Sequence, residues 1–292
     1  MLQRVRLTTL KKNVSLVLML LFSSVFVQAG EHKSYELPNV KVIPIEDTQS
    51  NKRYELYIKL PEKYHENKDK NYPVIYFTDA VWHIELLSSA TYFLMDGVIL
   101  VGISWQKDIE KALIEEHGES ISRARDYSIS QSDKPERQKK YKFGQADKHL
   151  AFIRNDVINY VENNYRTTPE NRSYFGFSAG GLFGAYILSS QPDTFKNYIL
   201  GSPSLWRDTS KLAAYTEKHK ALNANVLISR GSKEQDLGEH INEFVSLLEK
   251  KNDQSLLLNH IEIESAGHSD SFPMLGVRSV TWLSSLMNKE GE

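Results

Sequence analysis

The stretch Ser173-Tyr-Phe-Gly-Phe-Ser-Ala-Gly-Gly-Leu-Phe183 decides how this chain is read. Ser173 to Phe177 has the length and apolar content of a short buried strand, and the small-residue-rich run Ala179 to Ser189 has those of a helix. Gly176-Phe177-Ser178-Ala179-Gly180 sits at the junction, with Gly181 next. A serine on so tight a strand-to-helix turn takes a strained backbone conformation and projects its Oγ out of the sheet. Its neighbours approach so closely that only small residues fit beside it. The helix start also leaves backbone N–H groups free to stabilise a developing oxyanion, with the Ala179 N–H as the first donor. Ser178 is therefore a candidate nucleophile. A bare Gly-x-Ser-x-Gly says little, and the strand before it and helix after it supply the context.

Outward from this turn, strand-like and helix-like segments alternate. Val40 to Ile45 and Tyr54 to Leu60 show period-two alternation and predict an opening strand pair. Pro73 to Phe77 and Val98 to Ile103 are continuous apolar runs, as strands buried on both faces of a parallel sheet are. Helices are expected over Trp82 to Leu94, Ala146 to Tyr165, Lys211 to Lys218, Ile241 to Lys250 and about Ser271 to Met287, with strands at 198–200, 226–229 and 258–263. Repeated strand-helix-strand units imply an α/β fold, a mostly parallel central sheet with helices on both faces. The polar, charge-dense segment Ser104 to Lys148 breaks the rhythm and reads as a long insertion, either a functional flap or a solvated excursion.

A nucleophilic serine needs a base and an acid, and on this architecture they follow in the order Ser, acid, His. Four of the nine histidines lie beyond Ser178. His219 stands between lysines at a helix end, His240 at a helix start and His260 within strand-like alternation. His268, in Ala266-Gly267-His268-Ser269-Asp270-Ser271, follows the last strand in a loop leading to the final helix, where a catalytic imidazole must hang. The acid is expected in Arg230-Gly231-Ser232-Lys233-Glu234-Gln235-Asp236, with Glu234 preferred and Asp236 the alternative. A second oxyanion donor is expected after the strand Pro73 to Phe77, from the backbone of Ala80 or Val81, with Trp82 or His83 a candidate pocket residue.

The chain has 292 residues, 40% hydrophobic and 25% charged, with no Cys. That composition excludes collagen-like, disordered and disulfide-stapled classes, and the missing Cys excludes a thiol nucleophile. The first 29 residues carry Arg4, Arg6, Lys11 and Lys12 but no acid, then an apolar run from Val14 to Val27, then Val27-Gln28-Ala29. This is the pattern of a cleaved signal peptide, too short in its apolar part for the roughly 20 residues of a spanning helix. The expected mature protein, residues 30–292, is one α/β domain, periplasmic or secreted, with no stable membrane insertion. Its net charge would be −5, which argues against nucleic acid as a partner.

Several stretches together are similar to one family. They are Tyr72-Pro-Val-Ile-Tyr-Phe-Thr-Asp79, Val101-Gly-Ile103, Arg123-Ala-Arg-Asp-Tyr127, Gly144-Gln-Ala-Asp-Lys-His-Leu-Ala-Phe-Ile153, Asn164-Tyr-Arg166, Gly176 to Phe183 and Ser202-Pro-Ser-Leu-Trp206. In that order they resemble the putative-esterase family of α/β-hydrolases, and within it the siderophore esterase branch. The resemblance implies a serine esterase of small-molecule carboxylic esters, a siderophore trilactone among them, that uses Ser178, His268 and an acid and needs no metal or cofactor. It also implies Trp206 near the acyl or leaving-group pocket and Arg125 as a substrate contact, set against a structural pair of Arg125 with Asp126. Ala80 departs from the glycine many relatives carry there. Two other functions remain open to the sequence: acyl transfer by the same machinery, and ligand binding without catalysis.

Overall fold

The computed structural model describes residues 36–95 and 97–290, so the expected signal peptide lies outside the described residues. Eight strands form one sheet in the order β1-β2-β4-β3-β5-β6-β7-β8. They are β1 (Val40–Glu46), β2 (Arg53–Lys59), β3 (Tyr72–Thr78), β4 (Ile99–Ile103), β5 (Thr167–Phe177), β6 (Asn197–Gly201), β7 (Asn225–Gly231) and β8 (Leu257–Ile263). The opening pair β1 and β2 is antiparallel, β2 also runs antiparallel to β4, and every pairing from β4 to β8 is parallel. This is the mostly parallel sheet that the apolar runs imply.

The period of two along each strand divides the core between two faces. Tyr76, Tyr174, Leu200 and Ile228 share one face with Phe183, Ile241 and Phe244, all fully buried. That face is covered by α5 (Ala146–Phe152), α6 (Asn159–Asn164), α7 (Ala179–Ser190), α8 (Thr209–Thr216) and α9 (Gln235–Lys250). The alternate residues Phe77, Phe175 and Phe177 meet α1 (Ala80–Leu94) and the C-terminal helix Phe272. The expected helix over 146–165 is interrupted by a π-helical turn at Ile153–Ile158 that still buries Ile153, Val157 and Ile158. Residues 104–148, where the sequence lacks a clear period, fold into α2 (Lys111–His117), α3 (Arg123–Asp126) and α4 (Pro135–Tyr141), each at most two turns long. Helices that short carry too few turns for an apolar stripe to stand out.

The strand order also locates the crevice. From β3 the chain crosses to β4 on one side, whereas from β5 it crosses to β6 on the other. The connections leaving these neighbouring strands diverge, and the carboxyl ends of β3 and β5 therefore border a gap, as at the switch points of other open α/β sheets.

Beneath that gap, His83 of α1 is 3% exposed, stacked 4.7 Å from Phe272 and edge-on to Phe175, and its Nδ1 has no partner. Burial pushes its pKa from 6.5 down to about 4, opposed by the nearby Asp79 charge. Above pH 6.5 neither state holds the proton. As pH falls towards 4 the unfolded chain binds a proton the folded chain rejects, so stability drops across that window. Denaturant unfolding should show the wild type losing about 2 kcal/mol more than His83→Phe between pH 7 and pH 5. Equal losses in the two proteins would show that His83 titrates normally in the fold.

Candidate active site

Ser178 follows the last residue of β5, and its backbone takes φ 58° and ψ −114°. A non-glycine residue pays of order 1–3 kcal/mol for such a conformation, so the surroundings must enforce it. They do so with backbone bonds: Ser178 N–H donates to Gly201 O at 2.8 Å, and Ser178 O accepts from Leu182 N–H at 3.0 Å and Ser204 N–H at 3.1 Å. Small residues are compulsory around it. A Cβ on Gly176 would meet Gly180 O at 2.3 Å, and one on Gly180 would meet Thr78 Oγ1 at 2.5 Å. The strand-to-helix turn read from Gly176 to Gly181 is thus present, with the ends of β3 and β5 in close contact.

His268 is the first residue of α10 (His268–Glu290), not part of a preceding loop. Its Nε2 stands 2.9 Å from Ser178 Oγ and its Nδ1 2.5 Å from Glu234 Oε1. The ionised carboxylate only accepts, so Nδ1 carries the proton and Nε2 is left to accept from the serine hydroxyl. Glu234, just before α9, has a nearly buried side chain. Its second oxygen accepts from Gly231 N–H at 2.5 Å and from Ser202 Oγ at 2.7 Å. Burial alone raises a carboxyl pKa, but these bonds from His268, Gly231 and Ser202 outweigh it and hold Glu234 below the ordinary value. The alternative acid Asp236 lies exposed in the first turn of α9, and His268 bonds Glu234 instead. The early helix start explains this, since two residues along a helix turn a side chain about 200° away.

Ala179 opens α7 after β5, and Ala80 and Val81 open α1 after β3, so the expected oxyanion donors stand at the two strand ends that border the gap. Among the described residues no acceptor is bonded to the backbone N–H of Ala179, Ala80 or Val81, whereas Trp82 and His83 N–H both donate to Asp79 O. Ser204 adds a hydroxyl 3.3 Å from Ser178 Oγ.

Beside Ser178 opens a cleft of about 370 Å³ lined by Ala179, Leu182, Ser204, Trp206 and Arg207, and by His117, Ile121, Arg123, Tyr127 and Phe143 of the 104–148 segment. The insertion is therefore the outer wall of the cleft. Trp206 is 59% exposed there, with the Arg207 guanidinium over its ring. Trp82 is half exposed, edge-on to Trp105, and reaches the cleft wall only through Arg123, whose guanidinium sits 4.9 Å over its ring.

Arg125, the substrate contact implied by the resemblance, does not line the cleft. It binds Asp126 through Nε at 2.7 Å and Nη2 at 2.9 Å, with the Tyr54 hydroxyl behind, and the cleft is lined instead by Arg123. Arg123 and Tyr127, four apart, share the cleft face of one helical turn, and Arg125 points elsewhere. Recognising that turn would have selected Arg123. Sequence reasoning also missed Ser202, Ser204 and Ser271, although the first two lie in the Ser202 to Trp206 stretch already singled out. Ser271 Oγ lies 3.3 Å from Ser202 Oγ and donates to His268 O.

The family model described as "Putative esterase" matches residues 48–290. The ferri-bacillibactin esterase BesA of Bacillus subtilis is 26% identical over 275 residues, covering 86% of this chain and 91% of that protein. Among solved structures, the BES protein of Bacillus cereus superposes with a TM-score of 0.74 at 23% identity, over 87% of this chain and 99% of that one. An IroE-like serine hydrolase of Shewanella oneidensis does so with 0.70 at 20% identity, over 84% and 80%. These likenesses agree with the α/β-hydrolase sheet described above.

If Glu234 orients His268, Glu234→Gln should lower kcat on a p-nitrophenyl ester by roughly 10²- to 10⁴-fold, and Asp236→Asn should leave it within about twofold. The reverse ranking in steady-state assays would transfer the role to Asp236.

Proposed function

The chain belongs to the putative-esterase family and is a carboxylic ester hydrolase; from that premise we propose that it works through Ser178, His268 and Glu234 on siderophore-type esters. The observation that carries the proposal is the unbroken hydrogen-bond path from Ser178 Oγ through His268 to Glu234, at 2.9 and 2.5 Å. His268 Nε2 takes the hydroxyl proton as Oγ attacks the ester carbonyl carbon, and the imidazolium is stabilised by the Glu234 carboxylate. The negative oxygen is received by the N–H of Ala179 and of Ala80 or Val81, groups with no acceptor among the described residues. His268 then gives its proton to the departing alkoxide, leaving Ser178 acylated. Water repeats the sequence, deprotonated by the same nitrogen, and releases the acid.

The substrate class is argued from the cleft. Its wall combines aromatic and aliphatic surface (Trp206, Tyr127, Phe143, Leu182) with Arg123, Arg207 and Asp208, the two guanidinium groups being paired with Asp79 and Asp133, a setting for an ester that carries an aromatic group. The relative BesA is named a ferri-bacillibactin esterase, and that name supplies the siderophore class. Trp206 would contact the acyl or leaving group. Residues 1–29 would export the enzyme to the periplasm or medium, where such esters arrive. No helix of the described residues is long and apolar enough to cross a membrane.

Ser178→Ala should reduce turnover of a p-nitrophenyl ester by about 10³-fold or more, and undiminished activity would sink the mechanism. On a panel of acyl esters beside an iron-loaded catecholate trilactone, kcat/KM should be highest for the trilactone, and Trp206→Ala should raise KM for it by about tenfold or more. A preference for simple aliphatic esters, rising with chain length, would assign the cleft to acyl chains.

A further inference from the structure

We propose that Asp79 is a positioning residue whose buried carboxylate fixes the oxyanion-binding backbone of Ala80 and Val81 against Ser178. The proposal rests on the Ser178 mechanism above.

Asp79 stands between β3 and α1, is fully buried, and has φ 58° and ψ 45°, a left-handed conformation that asparagine and aspartate tolerate better than most residues. At a helix start an aspartate commonly bonds the helix's own first turn, but this side chain makes no such bond. It turns towards the cleft wall instead. Oδ1 accepts from Trp105 Nε1 at 2.6 Å and from the Tyr127 hydroxyl at 3.3 Å, and Oδ2 from Arg123 Nη2 at 3.0 Å. A buried charge is retained only where such donors compensate its lost hydration, so this set defines one place for the residue.

Its backbone depends on that place. Asp79 O takes the N–H groups of Trp82 and His83, and among the described residues those of Ala80 and Val81 have no acceptor. On the opposite side, an atom at the Gly180 Cβ position would lie 3.3 Å from Asp79 Oδ2, so the carboxylate rests against the first turn of α7. Tyr174 completes the joint: its hydroxyl donates to Gly180 O at 2.8 Å and lies 3.3 Å from Thr78 Oγ1. Two N–H donors from loops on different strands stabilise one oxygen only if their separation is fixed. Asp79 ties the β3 loop, and Tyr174 with Gly180 ties the β5 turn to it.

The test is Asp79→Asn in the whole protein, since asparagine keeps the size and the tolerance for positive φ and removes the charge. Steady-state kinetics on a p-nitrophenyl ester, the rate of Ser178 labelling by a fluorophosphonate, and Tm are measured together. Expected is a fall in kcat and in labelling rate, in parallel and by roughly 10- to 100-fold, with KM within about twofold at temperatures well below Tm. Trp105→Phe, which removes one donor to the carboxylate and lies outside the cleft lining, should lower kcat by about three- to tenfold. Combined with Asp79→Asn it should add little, because both act through one interaction. A folded Asp79→Asn enzyme with kcat within twofold of wild type overturns the proposal, as does a change confined to KM. If Asp79→Asn does not fold, full kcat in Trp105→Phe overturns it. Failure of the underlying mechanism is separately visible, as activity surviving in Ser178→Ala.

Discussion

Three strands that lie side by side in the sheet, β3, β5 and β6, are each followed at once by a residue that is not glycine yet has positive φ: Asp79 at 58°, Ser178 at 58° and Ser202 at 37°. Each conformation is costly, and each is held by bonds that serve the site. Asp79 is held by Trp105, Tyr127 and Arg123, Ser178 by Gly201, Leu182 and Ser204, and Ser202 by Glu234. The parallel sheet brings three strand ends to one edge, where Ser178 Oγ meets His268, Ser202 Oγ meets Glu234 and the Asp79 carboxylate meets the cleft wall. The geometry of the proposed nucleophile, acid and oxyanion donors descends from that row.

Close packing is the condition for it. Glycine at 176 and 180 lets the turn approach within distances that a Cβ would forbid, and the buried Tyr174 bonds across the gap so that the elbow and the β3 loop move as one. The acid side is built in the same manner. Ser202 and Gly231 hold one oxygen of Glu234 so that the other faces His268, and Ser271 holds the backbone of His268 itself. Each group that would react is thus oriented by a buried neighbour that would not, which lowers the reorganisation needed at the moment of reaction.

The succession of strands along the chain and the positions of Ser178, His268 and the preferred acid Glu234 beyond strand ends were legible because they depend on strong local signals: continuous apolar runs, a glycine-framed serine, and a histidine and an acid after late strands. The cleft wall was less so. Residues 104–148 fold as short helices whose periodicity is hidden by their length, which is why Arg125 was singled out and Arg123 was not. The distinction between Glu234 and Asp236 turned on where α9 begins, six residues ahead of the apolar pattern that marks it from Ile241. Buried hydroxyls such as Ser202 and Ser271 leave no trace in a hydrophobic pattern, since their role is visible only when distant strands meet.

The claim on which the rest stands is that Ser178 becomes acylated. Rapid acid quench of the protein with a p-nitrophenyl ester, followed by peptide mass spectrometry, tests it directly. The account predicts one acyl group on the peptide containing Ser178 during turnover and none in His268→Ala. Turnover at an undiminished rate with no adduct on that peptide, or an adduct on another residue that turns over at the catalytic rate, would contradict it.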